Sequence, residues 1–192
     1  MKLAILTSLL AATLSATLAA DFSRATPFNS VQDFVAAAKQ FQPGTSQSDL
    51  SALFVVPELG QPEDPKTGTP VFAKSIESCE TLWANDSQAL VFAKALPPTE
   101  ATNTVVAVLF LIKRTGDSWR ITDTRRFTGT GGDSGITAKL TAETGGGPDR
   151  LGTEGFPPVI TVTEAQGGRG YSYTLSASYR VQASKLGRLD LE

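Results

Sequence analysis

The stretch VLFLIKRTGDSWRITD, residues 108–123, decides how this chain is read. It opens inside an unbroken apolar run, 105–112, that holds no polar residue. Successive side chains of a strand point to opposite faces, so a half-exposed strand alternates. A run that never alternates is covered on both faces, and a central strand is expected here. Thr115, Gly116, Asp117 and Ser118 supply turn chemistry, and a second strand is expected over 119–127.

Pleat geometry then selects a candidate site. If the turn pairs Arg114 with Trp119, Ile112 faces Ile121, Phe110 faces Asp123 and Val108 faces Arg125. Alternation puts Trp119, Ile121, Asp123, Arg125 and Phe127 on one face. A carboxylate and a guanidinium two residues apart would then sit among apolar side chains. Such a pair can bind a polar ligand, the carboxylate can serve as a base, or the two can form a structural ion pair.

Upstream, helical signals dominate. Ser30 and Asp33 open a helix in the manner of a capping box. Val31, Phe34, Val35, Ala38 and Phe41 share one face, and Pro43-Gly44 ends it. A short second helix is expected, capped by Ser46 or Ser48, with Leu50, Leu53 and Phe54 buried. Pro57, Pro62, Pro65 and Pro70 mark a loop. Residues 71–84 admit two readings. Phe72, Ile76, Cys79 and Trp83 recur at helical spacing, while 80–84 suits a strand ending at Asn85-Asp86. A helical turn followed by a strand is expected there, then a return strand over 88–96.

Downstream the pattern is β. A Gly-rich connector spans 129–135. Ile136, Ala138, Leu140 and Ala142 alternate with polar residues. A loop over 144–158 precedes a strand over 159–164, and Gly167-Gly168-Arg169-Gly170 has hairpin-turn composition. Tyr171, Tyr173, Leu175, Ala177, Tyr179 and Val181 then alternate with Ser, Thr, Arg and Gln, which predicts one covered and one wet face.

Composition excludes whole classes of chemistry. Among 192 residues there is no histidine, one cysteine and one methionine. Ser-His-Asp catalysis and His-ligated metal sites are ruled out, as is an intrachain disulfide. Gly132-Asp133-Ser134-Gly135 echoes a serine-protease nucleophile but lacks its base, and is read as a connector. Residues 1–20 read as a cleavable leader, with Lys2 before a short apolar run and small residues up to Ala20. Without Lys2 the remaining sixteen basic and nineteen acidic residues leave a charge of −3. That mild acidity argues against nucleic acid. Cys79 is expected to be buried and unpaired. Asn85-Asp86-Ser87 is a formal glycosylation sequon. Lys113, Arg114, Arg120, Arg125 and Arg126 crowd one hairpin, as solvated strand positions or as an anion site.

The hairpin at 108–123, with the helices, proline-rich loop and hairpin before it, resembles the ketosteroid isomerase/nuclear transport factor superfamily. Its members often carry an apolar strand, a charged turn with Gly, and Trp-Lys/Arg-Ile. The resemblance spans residues 28–127 and implies a curved sheet wrapped around helices as a cone, sometimes with a pocket. Trp119, Asp123 and Arg125 would then be the ligand-binding residues, and Asp123 the one candidate catalytic base. The superfamily holds isomerases, hydratases and non-enzymatic binding modules, so its fold leaves function open.

The expected fold class is therefore α+β, with N-terminal helices packed on a curved, mainly antiparallel sheet and a C-terminal antiparallel β extension. The expected organisation is a signal peptide at 1–20, a cone-like domain at 21–129 and a β extension at 130–192. The expected role is a secreted or periplasmic, non-catalytic protein that binds a small molecule or another protein. An isomerase or hydratase using Asp123 and a structural assembly subunit are the alternatives. No cofactor, no metal, no nucleic acid and no membrane span after leader removal are expected.

Overall fold

The computed structural model describes residues 22–45, 48–57, 70–99, 104–130, 135–141, 158–168 and 171–189. The leader at 1–20, Ser46, and the connector residues Gly132, Asp133 and Ser134 lie outside them.

The first element is the helix α1, Val31–Gln40. Ser30 caps it, its hydroxyl accepting the Asp33 N–H at 3.0 Å. Val31, Phe34 and Ala38 turn inward, and Phe41 follows them into the core. The second expected helix is a single 3-10 turn, Ser51–Phe54, which still buries Leu50 and Phe54 completely.

The rest is strand. β1 is Ser75–Ala84, β2 Gln88–Leu96, β3 Thr104–Thr115 and β4 Ser118–Thr130. These form an antiparallel sheet in the order β1-β2-β3-β4. A second antiparallel sheet contains β5 (Gly135–Thr141), β6 (Val159–Gly168), β7 (Tyr171–Gln182) and β8 (Lys185–Leu189), also in sequence order.

The α+β expectation, with helices on one curved cone-like sheet, is overturned. The described residues make a mainly β protein with two four-stranded sheets and one α-helix. The segment read as an extension is the second sheet, and it covers the face of the first that α1 leaves free. The layers are α1 with its aromatic surroundings, then the first sheet, then the second.

The 105–112 run accounts for this layering. Val106, Val108, Phe110 and Ile112 point toward α1, into a core with Phe22, Phe28, Phe34, Phe41 and Phe54. Ala107, Leu109 and Leu111 point the other way, into a core with Phe127, Ile136, Ile160, Val162, Tyr179 and Leu186. Every residue from Val106 to Ile112 is at most 1% exposed, as a strand between two apolar layers requires.

The helical turn expected near residue 71 is extended chain, with Phe72 bridging Val55. The spacing that suggested a helix has another cause. β1 carries register shifts between Ile76 and Ser78 and between Thr81 and Trp83. Each extra residue stretches the period of two. Ile76, Cys79 and Trp83 are thus buried at spacings of three and four although the segment is a strand. Cys79 is buried and free, beneath α1.

Candidate functional site

A bulge relocates the predicted site. β3 and β4 pair as expected at Arg114↔Trp119 and Ile112↔Ile121. Beyond them the register shifts, and Leu111 faces Asp123, Leu109 faces Arg125 and Ala107 faces Phe127. Thr122 is the extra residue, and its hydroxyl donates to the Leu111 carbonyl at 3.2 Å. One added residue exchanges the faces of everything after it. Trp119 and Ile121 stay in the core beside α1, whereas Phe127 enters the core between the sheets. The expectation that Trp119, Asp123 and Arg125 share a concave face is corrected: Trp119 lies on one face, Asp123 and Arg125 on the other.

Asp123 and Arg125 do meet, with Oδ1 and Nη1 3.1 Å apart. What they hold together is the backbone of Leu186 in β8. Asp123 Oδ2 accepts the Leu186 N–H at 2.8 Å, and Arg125 Nη2 donates to the Leu186 carbonyl at 2.7 Å. The pair thereby supplies one acceptor and one donor to one residue, as a neighbouring strand would. Asp123 Oδ1 also accepts the Thr124 N–H at 2.8 Å, and Arg125 Nη1 donates to the Thr124 carbonyl at 3.0 Å. The Leu186 side chain is 1% exposed in the inter-sheet core. The fork thus pins both the backbone and the side chain of β8 against β4.

Both oxygens of Asp123 are engaged, and its side chain is 17% exposed. A general base must reach a substrate proton at hydrogen-bond distance. This carboxylate reaches a peptide N–H instead.

The basic cluster is dispersed in a similar way. Lys113 Nζ donates to Ser184 Oγ at 3.4 Å, and Arg114 Nε to the Gly116 carbonyl at 3.2 Å. Arg120 Nη1 donates to the Ala25 carbonyl at 2.8 Å, and Arg126 to the Val55 carbonyl. Burial pulls the Arg126 guanidinium below its ordinary pKa. Alternation and the bulge send these cations to different segments rather than to one anion site.

Two features had no signal in the sequence. Arg24 Nη2 donates to Thr124 Oγ1 at 2.9 Å while its Nε lies 3.5 Å from Asp49 Oδ2, which ties the N-terminal segment to β4. Phe28 exchanges backbone hydrogen bonds with Trp119 at 2.9 and 2.7 Å, adding a one-residue strand at that edge. The sequon Asn85 serves its turn, Oδ1 accepting the N–H groups of Ser87 and Gln88 at 2.9 and 2.8 Å.

The covered face expected along β7 holds only in part. Tyr179 and Val181 are 8% and 6% exposed, and the Tyr179 ring meets Phe127 edge-on at 5.6 Å. Leu175 is 51% exposed. The side chains of Tyr171 and Tyr173 lie outside the described set.

Among the described residues no group of acidic and cysteine side chains is placed to hold a metal ion. No helix there is long and apolar enough to cross a membrane. Comparison with protein-family models, curated proteins and solved structures gives no match to this chain.

Proposed function

We propose that this chain is an exported, non-catalytic protein-interaction protein whose partner docks on β7 at Leu175. The observation that carries this reading is Leu175. It lies on the same strand face as Tyr179 and Val181, yet it is half exposed, opposite Glu164. A half-exposed leucine that continues a buried strand face offers a partner an apolar contact. The isomerase reading is less favoured because the oxygens of Asp123 are committed to the fold.

The test uses a photo-cross-linking residue at position 175 and, as control, at position 176 on the opposite face. Extracellular extract of the source cells supplies the partner. Recurrent adducts at 175, absent at 176 and competed by the unlabelled chain, are expected. Equal labelling at both positions overturns the reading. Folding is checked in parallel. Leu175→Ala should change stability by less than about 0.5 kcal/mol, as at exposed positions, whereas Tyr179→Ala should cost about 3–5 kcal/mol, as for buried aromatics.

A further inference from the structure

β8 is joined to β7 by a turn of two residues, Ala183 and Ser184. Ala183 holds φ +53°, and among the described residues it is the only non-glycine with positive φ. A Cβ is disfavoured in that region, where glycine is the usual occupant. Local strain is therefore concentrated in the hinge of a short edge strand.

Apart from two hydrogen bonds to the hinge itself, from Gln88 Nε2 to the Ala183 carbonyl and from Lys113 Nζ to Ser184 Oγ, the contacts that hold β8 lie outside this hinge. It pairs with β7 from Gln182↔Lys185 to Ser178↔Leu189. Leu186 fills the inter-sheet core, and its peptide groups lie in the Asp123–Arg125 fork. None of these contacts requires β8 to come from the same chain as β7.

We infer that β8 is exchanged between two copies of this chain, each copy's β8 lying beside the other's β7 and in the other's Asp123–Arg125 fork. Opening the hinge turns β7 and β8 into one continuous strand and releases both left-handed alanines. The β8 contacts are regenerated between copies, so the balance is set by hinge strain, by the Gln88 and Lys113 hydrogen bonds given up at the hinge, and by protein concentration. The fork reads only a backbone N–H and C=O, and the seat beside it fits the Leu186 side chain and the β7 register, which a second copy's β8 matches. Selectivity then comes from the Leu186 side chain in its own core and from the register of β7. The exchange is independent of the interaction reading above, since Leu175 lies at the other end of β7.

The test refolds the purified chain at low and high concentration and measures mass by light scattering. A dimer is expected at high concentration. Ala183→Gly relaxes the closed turn and should weaken dimerisation by about tenfold or more, the direction set by two relieved hinges per dimer. Deleting Ala183 and Ser184 prevents closure and should yield dimer at all concentrations. Ser178→Cys with Leu189→Cys, directly opposite across β7 and β8, identifies the exchange in a Cys79→Ala background. Oxidised dimer should run as a covalent dimer under non-reducing denaturing conditions. A wild-type chain monomeric at every concentration, or a dimer whose disulfides are all within chains, overturns the inference. These two measurements decide it even where the deletion variant fails to fold.

Discussion

Asp123 shows how little room a half-buried carboxylate leaves for alternatives. Its side chain is 17% exposed, and its ion-pair partner Arg125 is 39% exposed. Losing a hydrogen bond to a charged group strands the donor left behind. Asp123→Asn should therefore cost about 1–3 kcal/mol in denaturant unfolding, toward the lower end because solvent reaches Arg125. Arg125→Met should also destabilise. The double mutant should lose less than the two singles combined, with a coupling of about 1–2 kcal/mol, as for residues of one network. A coupling near zero would mean that the two side chains grip β8 independently. Cys79 gives a second prediction. Burial pushes its thiol from 9.0 up to about 12, with Lys39 opposing the shift and Glu80 adding to it. The unfolded chain then releases this proton at lower pH than the folded one. The stability it contributes is complete below about pH 9 and is lost as pH rises toward 12. Cys79→Ala should flatten the alkaline fall of the unfolding free energy in that window.

Among the strands, the Thr122 bulge makes the sharpest prediction. Deleting Thr122 would keep Asp123 opposite Leu111 and leave every later residue on its present face. Inserting an alanine between Thr122 and Asp123 leaves two surplus residues, so Asp123, Arg125 and Phe127 either turn toward α1 around a retained bulge or keep their face and slide two positions along β3, and Phe127 leaves its place either way. Deletion should thus give a folded protein, whereas insertion removes Phe127 from the inter-sheet core at about 3–5 kcal/mol, the cost of emptying a buried aromatic site. Urea unfolding of the two variants checks the order, and equal stability would overturn it. The same bulge marks where the sequence stopped being legible. The β3–β4 turn, Arg114↔Trp119 and Ile112↔Ile121 follow from alternation and turn chemistry alone. The shift beyond Ile121 does not, because Thr122 looks like any exposed strand threonine. In β1 two bulges gave a strand the burial spacing of a helix, so Ile76, Cys79 and Trp83 were readable as either.

In the molecule as a whole, β3 is the common wall of both cores, and this predicts cooperativity. Trp119 lies in the core beside α1 and Trp83 in the core between the sheets. Neither core can lose β3 without exposing the other. Trp83→Phe and Trp119→Phe, each leaving one fluorescent tryptophan, should show fluorescence and far-ultraviolet circular dichroism transitions that coincide within each variant. Separate midpoints would mean that the second sheet unfolds alone. The aromatic packing around Phe22, Phe34 and Phe110, with ring centroids 5.4–6.0 Å apart, ties the N-terminal segment to the same unit.

The amino-acid sequence by itself determined the doubly buried strand at 105–112, the α1 helix with its Ser30 cap, the turns at Asn85-Asp86 and 115–118, and the burial of Cys79, but not the β7–β8 hairpin. Each of these depends on neighbours within a few residues, through side-chain period, capping or turn preference. Absence of histidine excluded its chemistries at the same level. Only the tertiary structure decided what covers the second face of β3, because an apolar run demands a cover without naming one. The segment after residue 130 supplies it as a second sheet, which overturns the cone. Tertiary structure also decided the use of Asp123 and Arg125. Their spacing places a charge pair on one strand face, but a single bulged residue chooses the face and so gives them Leu186 to hold.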